Sequence, residues 1–193
     1  MTAVAAVFVL ALASMATLGP AASSWAADDD TATTKHIKLT IPSPTLAQCL
    51  PRGEMNVEEK LTAEKRGFDV FDITARHIAP NRSYTVFLLQ QAGPPFGAAE
   101  YIGELTTDRE GNGHAEYHLI VAEAFASTVV NGKRVRADLS QIGVWFADPK
   151  DDDFCFGPGG GIVSGFDGDG EAGALIFNSA QPKQSPTAPQ SQP

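Results

Sequence analysis

The chain has 193 residues, of which 23 are Asp or Glu and 14 are Lys or Arg, so its formal net charge at neutral pH is −9. Apolar residues make up 43% of it, which is enough to build a hydrophobic core and excludes a wholly disordered chain. The acidic balance argues against nucleic acid and anionic lipid as partners.

The N-terminus predicts an export signal. Residues 4–18 form an apolar run rich in Ala, Val and Leu. Ser24 and Ala26 then place small side chains at the two positions that a signal peptidase reads. The run is too short for a membrane-spanning helix, which needs about 20 residues. We therefore expect a signal peptide over residues 1–26, a short linker over residues 27–34, a secreted, extracellular protein, and no membrane span after cleavage.

The C-terminus predicts a disordered tail. Residues 180–193 are dominated by Pro, Gln and Ser, and such a segment buries too little apolar surface to offset the entropy of ordering it. Residues 35–179 remain, and a segment of that length is sufficient for one domain with its own core.

The pattern of residues 35–179 is that of a β-protein. In residues 35–41, for example, Ile37, Leu39 and Ile41 alternate with polar residues and share one face. The predicted strands cover residues 35–41, 68–78, 83–90, 99–107, 114–121, 139–147 and 172–178, and Asn131-Gly132 predicts a hairpin turn. The fold class predicted is all-β, an immunoglobulin-like antiparallel β-sandwich of about seven to nine strands. Helical composition makes residues 57–66 and 121–128 the two candidate helices.

Residues 78–86, IAPNRSYTV, resemble the tyrosine corner of fibronectin type III and related immunoglobulin-like domains. Ile78, Pro80, Tyr84 and Val86 match that motif, and Arg82 departs from it. The resemblance implies a tyrosine hydroxyl that bonds back to the backbone where the chain crosses between sheets. More broadly, the domain is similar to a group of secreted bacterial proteins of actinobacterial type, a resemblance that brings no known activity.

Two cysteines, Cys49 and Cys155, are the only ones in the chain. An even number of cysteines in an exported protein predicts a disulfide bond. This bond would close a loop of about 100 residues, which the chain-entropy model values at roughly 4–5 kcal/mol.

Residues 154–173, FCFGPGGGIVSGFDGDGEAG, contain the text of a dinucleotide-binding fingerprint at Gly168, Gly170 and Gly173. That fingerprint needs a preceding strand and a following helix, whereas here a glycine-rich loop precedes it and a predicted strand follows. We therefore read the segment as a long loop that ends in a turn.

The same loop is flanked by carboxylates, which are oxygen ligands that calcium uses in turns. The candidate ligands are Asp151, Asp152, Asp153, Asp167, Asp169 and Glu171, together with Asp148. The spacing lacks the Gly and the bidentate Glu of a calcium-binding loop, and Asp, Asn and Gly are also the ordinary residues of β-turns. Turns are the favoured interpretation, and a calcium site is the alternative.

The remaining candidate residues are histidines and aromatics. His114, Glu116 and His118 share one face of a predicted strand, which indicates a solvated face because the two histidines would lie about 13 Å apart. Trp145 and Phe146 are neighbours and so point to opposite faces of a strand; an exposed Trp145 would be a natural anchor for a partner.

No pattern of a catalytic site is present in the sequence, so we expect a protein that is not an enzyme. The predicted function is a secreted β-sandwich module that binds an extracellular protein or polysaccharide, or has a structural role, without a cofactor. The alternative is a calcium-dependent extracellular or cell-surface module that uses the acidic loops at residues 148–153 and 167–171.

Overall fold

A computed structural model describes residues 33–165 and 170–180. The predicted signal peptide, nearly all of the predicted linker, and tail residues 181–193 lie outside the described residues, as do Asp167 and Asp169. The strands are β1 (Thr33–Lys38), β2 (Glu54–Leu61), β3 (Asp69–Arg76), β4 (Ser83–Leu89), β5 (Ala99–Thr106), β6 (Gly113–Leu119), β7 (Phe125–Val130), β8 (Lys133–Asp138), β9 (Gln141–Phe146) and β10 (Leu175–Asn178). The short helices are α1 (Pro44–Cys49), α2 (Ala63–Arg66) and α3 (Asp153–Phe156), and a 3₁₀ turn covers Pro149–Asp152.

Eight of the ten strands form two four-stranded antiparallel sheets. The orders are β1-β2-β3-β6 and β10-β9-β4-β5, and β7 pairs with β8 as a separate hairpin. The predicted all-β sandwich is thereby confirmed. β3 pairs with β6 and β4 with β9, as strand B does with E and C with F in immunoglobulin-like sandwiches.

The core lies between the two sheets and follows from the alternation of the strands. In β3, Phe71, Ile73 and Ala75 point inward and are fully buried. β4 is buried on both faces, because Phe87 and Leu89 on its outer side pack in a second apolar cluster. The central strands of the second sheet are therefore covered on both sides.

A tyrosine corner joins the sheets between β3 and β4. The hydroxyl of buried Tyr84 donates a hydrogen bond to the carbonyl oxygen of Ala79 at 3.0 Å, and the Thr107 hydroxyl donates to the same oxygen at 2.8 Å. The resemblance of residues 78–86 implied this geometry. The relationship to fibronectin type III domains stays a prediction.

The two predicted helices are the main errors in the secondary structure. Residues 57–61 belong to strand β2, in which Met55, Val57 and Glu59 alternate inward, and helix is confined to Ala63–Arg66. Residues 121–128 form a turn and the start of β7. In both cases tertiary pairing overrides a composition that favours helix.

Helix α1 was not predicted, although it has a recognisable start. The Ser43 hydroxyl accepts a hydrogen bond from the backbone amide of Leu46, and Pro44 occupies the first helical turn. Among the described residues, no helix is long and apolar enough to cross a membrane.

Candidate functional site

The disulfide bond between Cys49 and Cys155 is present, as predicted from the sequence. Cys49 ends α1 and Cys155 lies in α3, with their Cα atoms 5.5 Å apart and a separation of 106 positions along the chain. The bond fixes the start of the glycine-rich segment to the connection between β1 and β2.

Carboxylates of the acidic segment, residues 148–153, bind other groups of the same chain. Asp148 accepts a hydrogen bond from the Lys150 amide at 2.7 Å. Asp151 lies 3.3 Å from Nε of Arg82, and burial raises the pKa of its carboxyl although Arg82 opposes that shift. Asp153 accepts from the Gly159 amide at 2.8 Å. These three carboxylates therefore stabilise the conformation of the chain.

Asp152 is the exception in this segment because its carboxylate is fully buried. Oδ2 accepts a hydrogen bond from the Ala174 amide at 2.9 Å, which ties the 3₁₀ turn to the chain just before β10. Gly161 lies so close to the carboxylate that any side chain there would overlap Oδ1. Burial raises the pKa of Asp152, while the amide of Ala174 works in the opposite direction. The Ile162 amide also acts to lower this pKa, although no described group forms a hydrogen bond of good geometry with Oδ1.

The calcium prediction is not tested by this geometry. Among the described residues, no group of three or more His, Cys, Asp or Glu side chains is arranged to hold a metal ion. Glu171 is exposed to solvent, and Asp167 and Asp169 lie outside the described residues. A calcium site therefore stays a prediction.

Trp145 is buried, with only 2% of its surface exposed. Its ring packs edge-on against Phe87 and Phe96, with ring centroids 5.6 and 5.2 Å away. Phe146, on the opposite face, is buried in the main core. The exposure that a Trp145 anchor requires is absent, because the cluster on the outer side of β4 and β9 covers the ring.

The histidine face of β6 is solvated, as the alternation indicated. Nε2 of His114 lies 3.1 Å from Asp72, and Nε2 of His118 lies 3.0 Å from Glu116. Phe68 stacks on the His118 ring with a centroid distance of 4.6 Å. The two histidines thus have separate carboxylate partners.

A cleft of about 210 Å³, which the sequence does not predict, opens where β1 and β2 approach β9 and the base of the hairpin. Glu59 lines it with only 5% of its surface exposed, and Nζ of Lys35 lies 4.0 Å from its carboxylate. Burial raises the pKa of Glu59, Lys35 opposes that shift, and Asp69 adds to it. Glu59 was missed because it fell inside a predicted helix.

The hairpin β7–β8 forms a sheet of its own. Its base is held by buried Ala137 and half-buried Ala126, and the amide of Leu139 donates to the carbonyl of Ala124 at 2.9 Å. Residues 129–136, which contain the turn, are all exposed. The outer half of the hairpin therefore stands away from the sandwich.

Apolar and basic side chains share this outer half. Val129 is 58% exposed, Val130 51% and Val135 38%, and Phe125 nearer the base is 51% exposed. The cations of the hairpin are Lys133, Arg134 and Arg136. Asn131-Gly132 correctly predicted the turn, but the helical composition of residues 121–128 obscured the first strand.

Comparisons with known protein families, curated proteins and solved structures find no match, so the functional argument rests on the residues and geometry of this chain.

Proposed function

We propose that the protein is a secreted, non-catalytic β-sandwich module that binds a partner outside the cell through the hairpin β7–β8. The disulfide bond supports an oxidising compartment, since such bonds persist mainly in exported proteins. The acidic segment supports a structural role for its carboxylates, because Asp148 and Asp153 accept hydrogen bonds from nearby backbone amides and Asp151 pairs with Arg82 of the β3–β4 connection.

The observation that carries the proposal is the exposure of the outer hairpin. Residues 129–136 bury nothing in the core, yet they include three valines and three cations. An apolar cluster rimmed by charge on a projecting element is typical of an interaction site. The hairpin also has a pre-formed turn, which lowers the entropy cost of binding.

The experiment compares binding of the mature chain, residues 27–193, to separated envelope fractions: insoluble wall polysaccharide, membrane vesicles and envelope protein. The hairpin variant Val129→Thr/Val130→Thr keeps β-branched side chains but makes the tip polar. The matched control, Ile162→Thr/Val163→Thr, changes two other exposed apolar neighbours. We expect binding to one fraction that the hairpin variant loses and the control keeps. Equal binding by both variants, or binding by neither variant nor wild type, overturns the proposal.

A calcium-dependent module is the second candidate, and Asp152 is the observation that favours it. Its buried Oδ1 lacks a hydrogen bond of good geometry from the described residues, and a bound cation would satisfy such an oxygen. The test is the thermal midpoint of the mature chain with millimolar calcium and with chelator, for wild type and Asp152→Asn. A calcium-dependent rise that Asp152→Asn abolishes supports this candidate. An unchanged wild-type midpoint removes it.

A further inference from the structure

We propose that the partner of the hairpin is a membrane surface containing anionic lipid, into which the tip of β7–β8 inserts to the depth of the headgroups. This inference rests on the proposed function, because it names the class of partner that the same hairpin would bind. For the hairpin, it reverses the expectation, drawn from the net charge of the whole chain, that anionic lipid is not a partner.

The first argument is that the tip is apolar on both faces. Successive residues of a strand point to opposite faces, so Val129 and Val130 lie on different sides of the hairpin. Val135 lies on the same face as Val130, since Thr128, its cross-strand partner, is two residues from Val130. A folded protein laid against a hairpin covers one face. A fluid lipid interface surrounds a tip on all sides, and it accommodates shallow apolar insertion.

The second argument is charge complementarity at the tip. Residues 125–138 carry Lys133, Arg134 and Arg136 against a single Asp138, a net charge of +2 in a chain of −9. Arg136 is engaged near the base, because its guanidinium lies 4.1 Å above the Phe125 ring and its Nε contacts Asp138. Lys133 and Arg134 directly follow the turn. Nη1 of Arg134 donates a hydrogen bond to the Ser127 hydroxyl at 3.1 Å, and both residues are exposed where anionic headgroups would meet them.

Salt screens distant charges of the acidic chain from a membrane that contacts the tip. The Debye length at physiological ionic strength is only about 8 Å. A membrane at the tip therefore experiences mainly the charges close to it, which include Lys133 and Arg134.

Other classes of partner explain fewer of the exposed side chains of the hairpin. An acidic polysaccharide would pair with the cations but would leave the valines unexplained. A second copy of the chain would bring an identical basic tip to a tip-to-tip contact, where the like charges repel each other. Lipid accounts for the apolar residues and the cations together.

The test is co-sedimentation of the mature chain with vesicles of phosphatidylcholine alone and of phosphatidylcholine mixed with phosphatidylglycerol. We expect wild type to sediment with the anionic vesicles more than with the neutral ones. Lys133→Gln/Arg134→Gln should weaken binding to anionic vesicles by about fivefold for each cation, or about 25-fold together, from the ordinary contribution of a basic residue near an anionic surface. Lys65→Gln/Arg66→Gln, which removes two adjacent cations of α2, is the matched control and should change little.

A second measurement reports how deeply the hairpin tip inserts into the vesicle surface. Val129→Thr/Val130→Thr should lower binding to both vesicle types, whereas Ile162→Thr/Val163→Thr should not. In the mature chain Trp145 is the only tryptophan and is buried, so Val130→Trp introduces an exposed reporter. Its fluorescence should shift to shorter wavelength on anionic vesicles.

Three outcomes would overturn the inference. Absence of vesicle binding while the hairpin variant still loses binding to wall polysaccharide or envelope protein would reject lipid and leave the proposed function standing. Equal losses in the hairpin and control variants would reject the hairpin as the binding element and with it the proposed function. A concentration-dependent dimer in solution that Val129→Thr/Val130→Thr abolishes would assign the tip to self-association.

Discussion

The segment at residues 148–174 and the hairpin β7–β8 both look like surface turns in the sequence and both expose apolar side chains, but they differ in how they are held to the fold. In the first, which we term the cross-linked loop, a disulfide and the buried carboxylate of Asp152 tie polar residues into the fold. In the hairpin, valines point into solvent beside cations. The contrast shows that residue type alone predicts neither burial nor role: the hydrogen bonds available to each segment decide which is anchored.

The largest loss of stability should follow removal of the disulfide bond. Cys49→Ala/Cys155→Ala should lower the free energy of unfolding by roughly 4–5 kcal/mol, because a bond across 106 positions restricts the unfolded chain strongly. Urea unfolding of the variant and of reduced wild type measures the loss. A change below about 1 kcal/mol would show that the cross-linked loop is held mainly by its other contacts.

The next largest loss of stability is expected on substitution of Asp69 in β3, whose carboxylate binds backbone amides of two connecting segments. Its Oδ1 accepts from the amides of Thr62 and Ala63 at 2.7 and 2.8 Å, and Oδ2 accepts from those of Val121 and Ala122 at 2.9 and 3.2 Å. Burial acts to raise the pKa of Asp69, but the four amides outweigh it and the net shift is downward.

Asp69→Asn should therefore destabilise the protein by about 3 kcal/mol, since the amide group of Asn leaves two buried N–H donors without an acceptor. Asp72→Asn is the control on the same strand, because Asp72 is half-buried and its side chain pairs with exposed His114. Its cost should be below about 1 kcal/mol, as is usual for an exposed pair. Equal costs for the two variants would refute an anchoring role for Asp69.

The tyrosine corner should contribute less again. Tyr84→Phe removes one hydrogen bond to the carbonyl of Ala79, which still accepts from Thr107. The expected loss is about 1–1.5 kcal/mol, the usual value for one neutral hydrogen bond. Tyr117→Phe serves as comparison, because its hydroxyl bonds to the Glu104 carbonyl at a half-exposed position where water can substitute. A larger loss for Tyr117→Phe would show that the corner is not the stronger constraint.

The contribution of Asp152 to the free energy of unfolding should depend on pH. Because its folded pKa lies above the ordinary value of 3.8, its contribution to stability is fully present below that pH and is lost as pH rises through the folded pKa. Asp152→Asn should match wild type in free energy of unfolding under acid conditions and exceed it at neutral pH. Asp153→Asn, which loses a charged acceptor for the Gly159 amide, should not stabilise. Urea unfolding at both pH values measures this. A loss at neutral pH from Asp152→Asn would contradict the sign.

The sequence predicted the sandwich where alternation coincides with burial. β3 reads as a strand because Phe71, Ile73 and Ala75 recur every second residue and all reach the core. The disulfide followed from cysteine number and the inferred compartment. Both inferences use signals that lie within one segment or in composition.

The sequence could not predict features that depend on contacts between distant segments. Glu59 lies in a stretch of helical composition, and only pairing with β1 and β3 makes it an inward strand residue. Trp145 is buried because Phe96, from the connection after β4, covers it. The net charge of the chain concealed a basic tip, since a sum over all residues carries no information on where the charges lie.

The smallest expected effect is the sharpest test of the contrast between the two regions. Val129→Thr/Val130→Thr should change the free energy of unfolding by no more than about 0.5 kcal/mol, because both side chains are exposed and a hydroxyl there meets water. The same substitution at fully buried Val144 places a hydroxyl in the core and should cost about 1–3 kcal/mol. Urea unfolding of both variants compares them directly. If the hairpin variant cost as much as Val144→Thr, the valines would be stabilising the fold, and their exposure would no longer call for a partner.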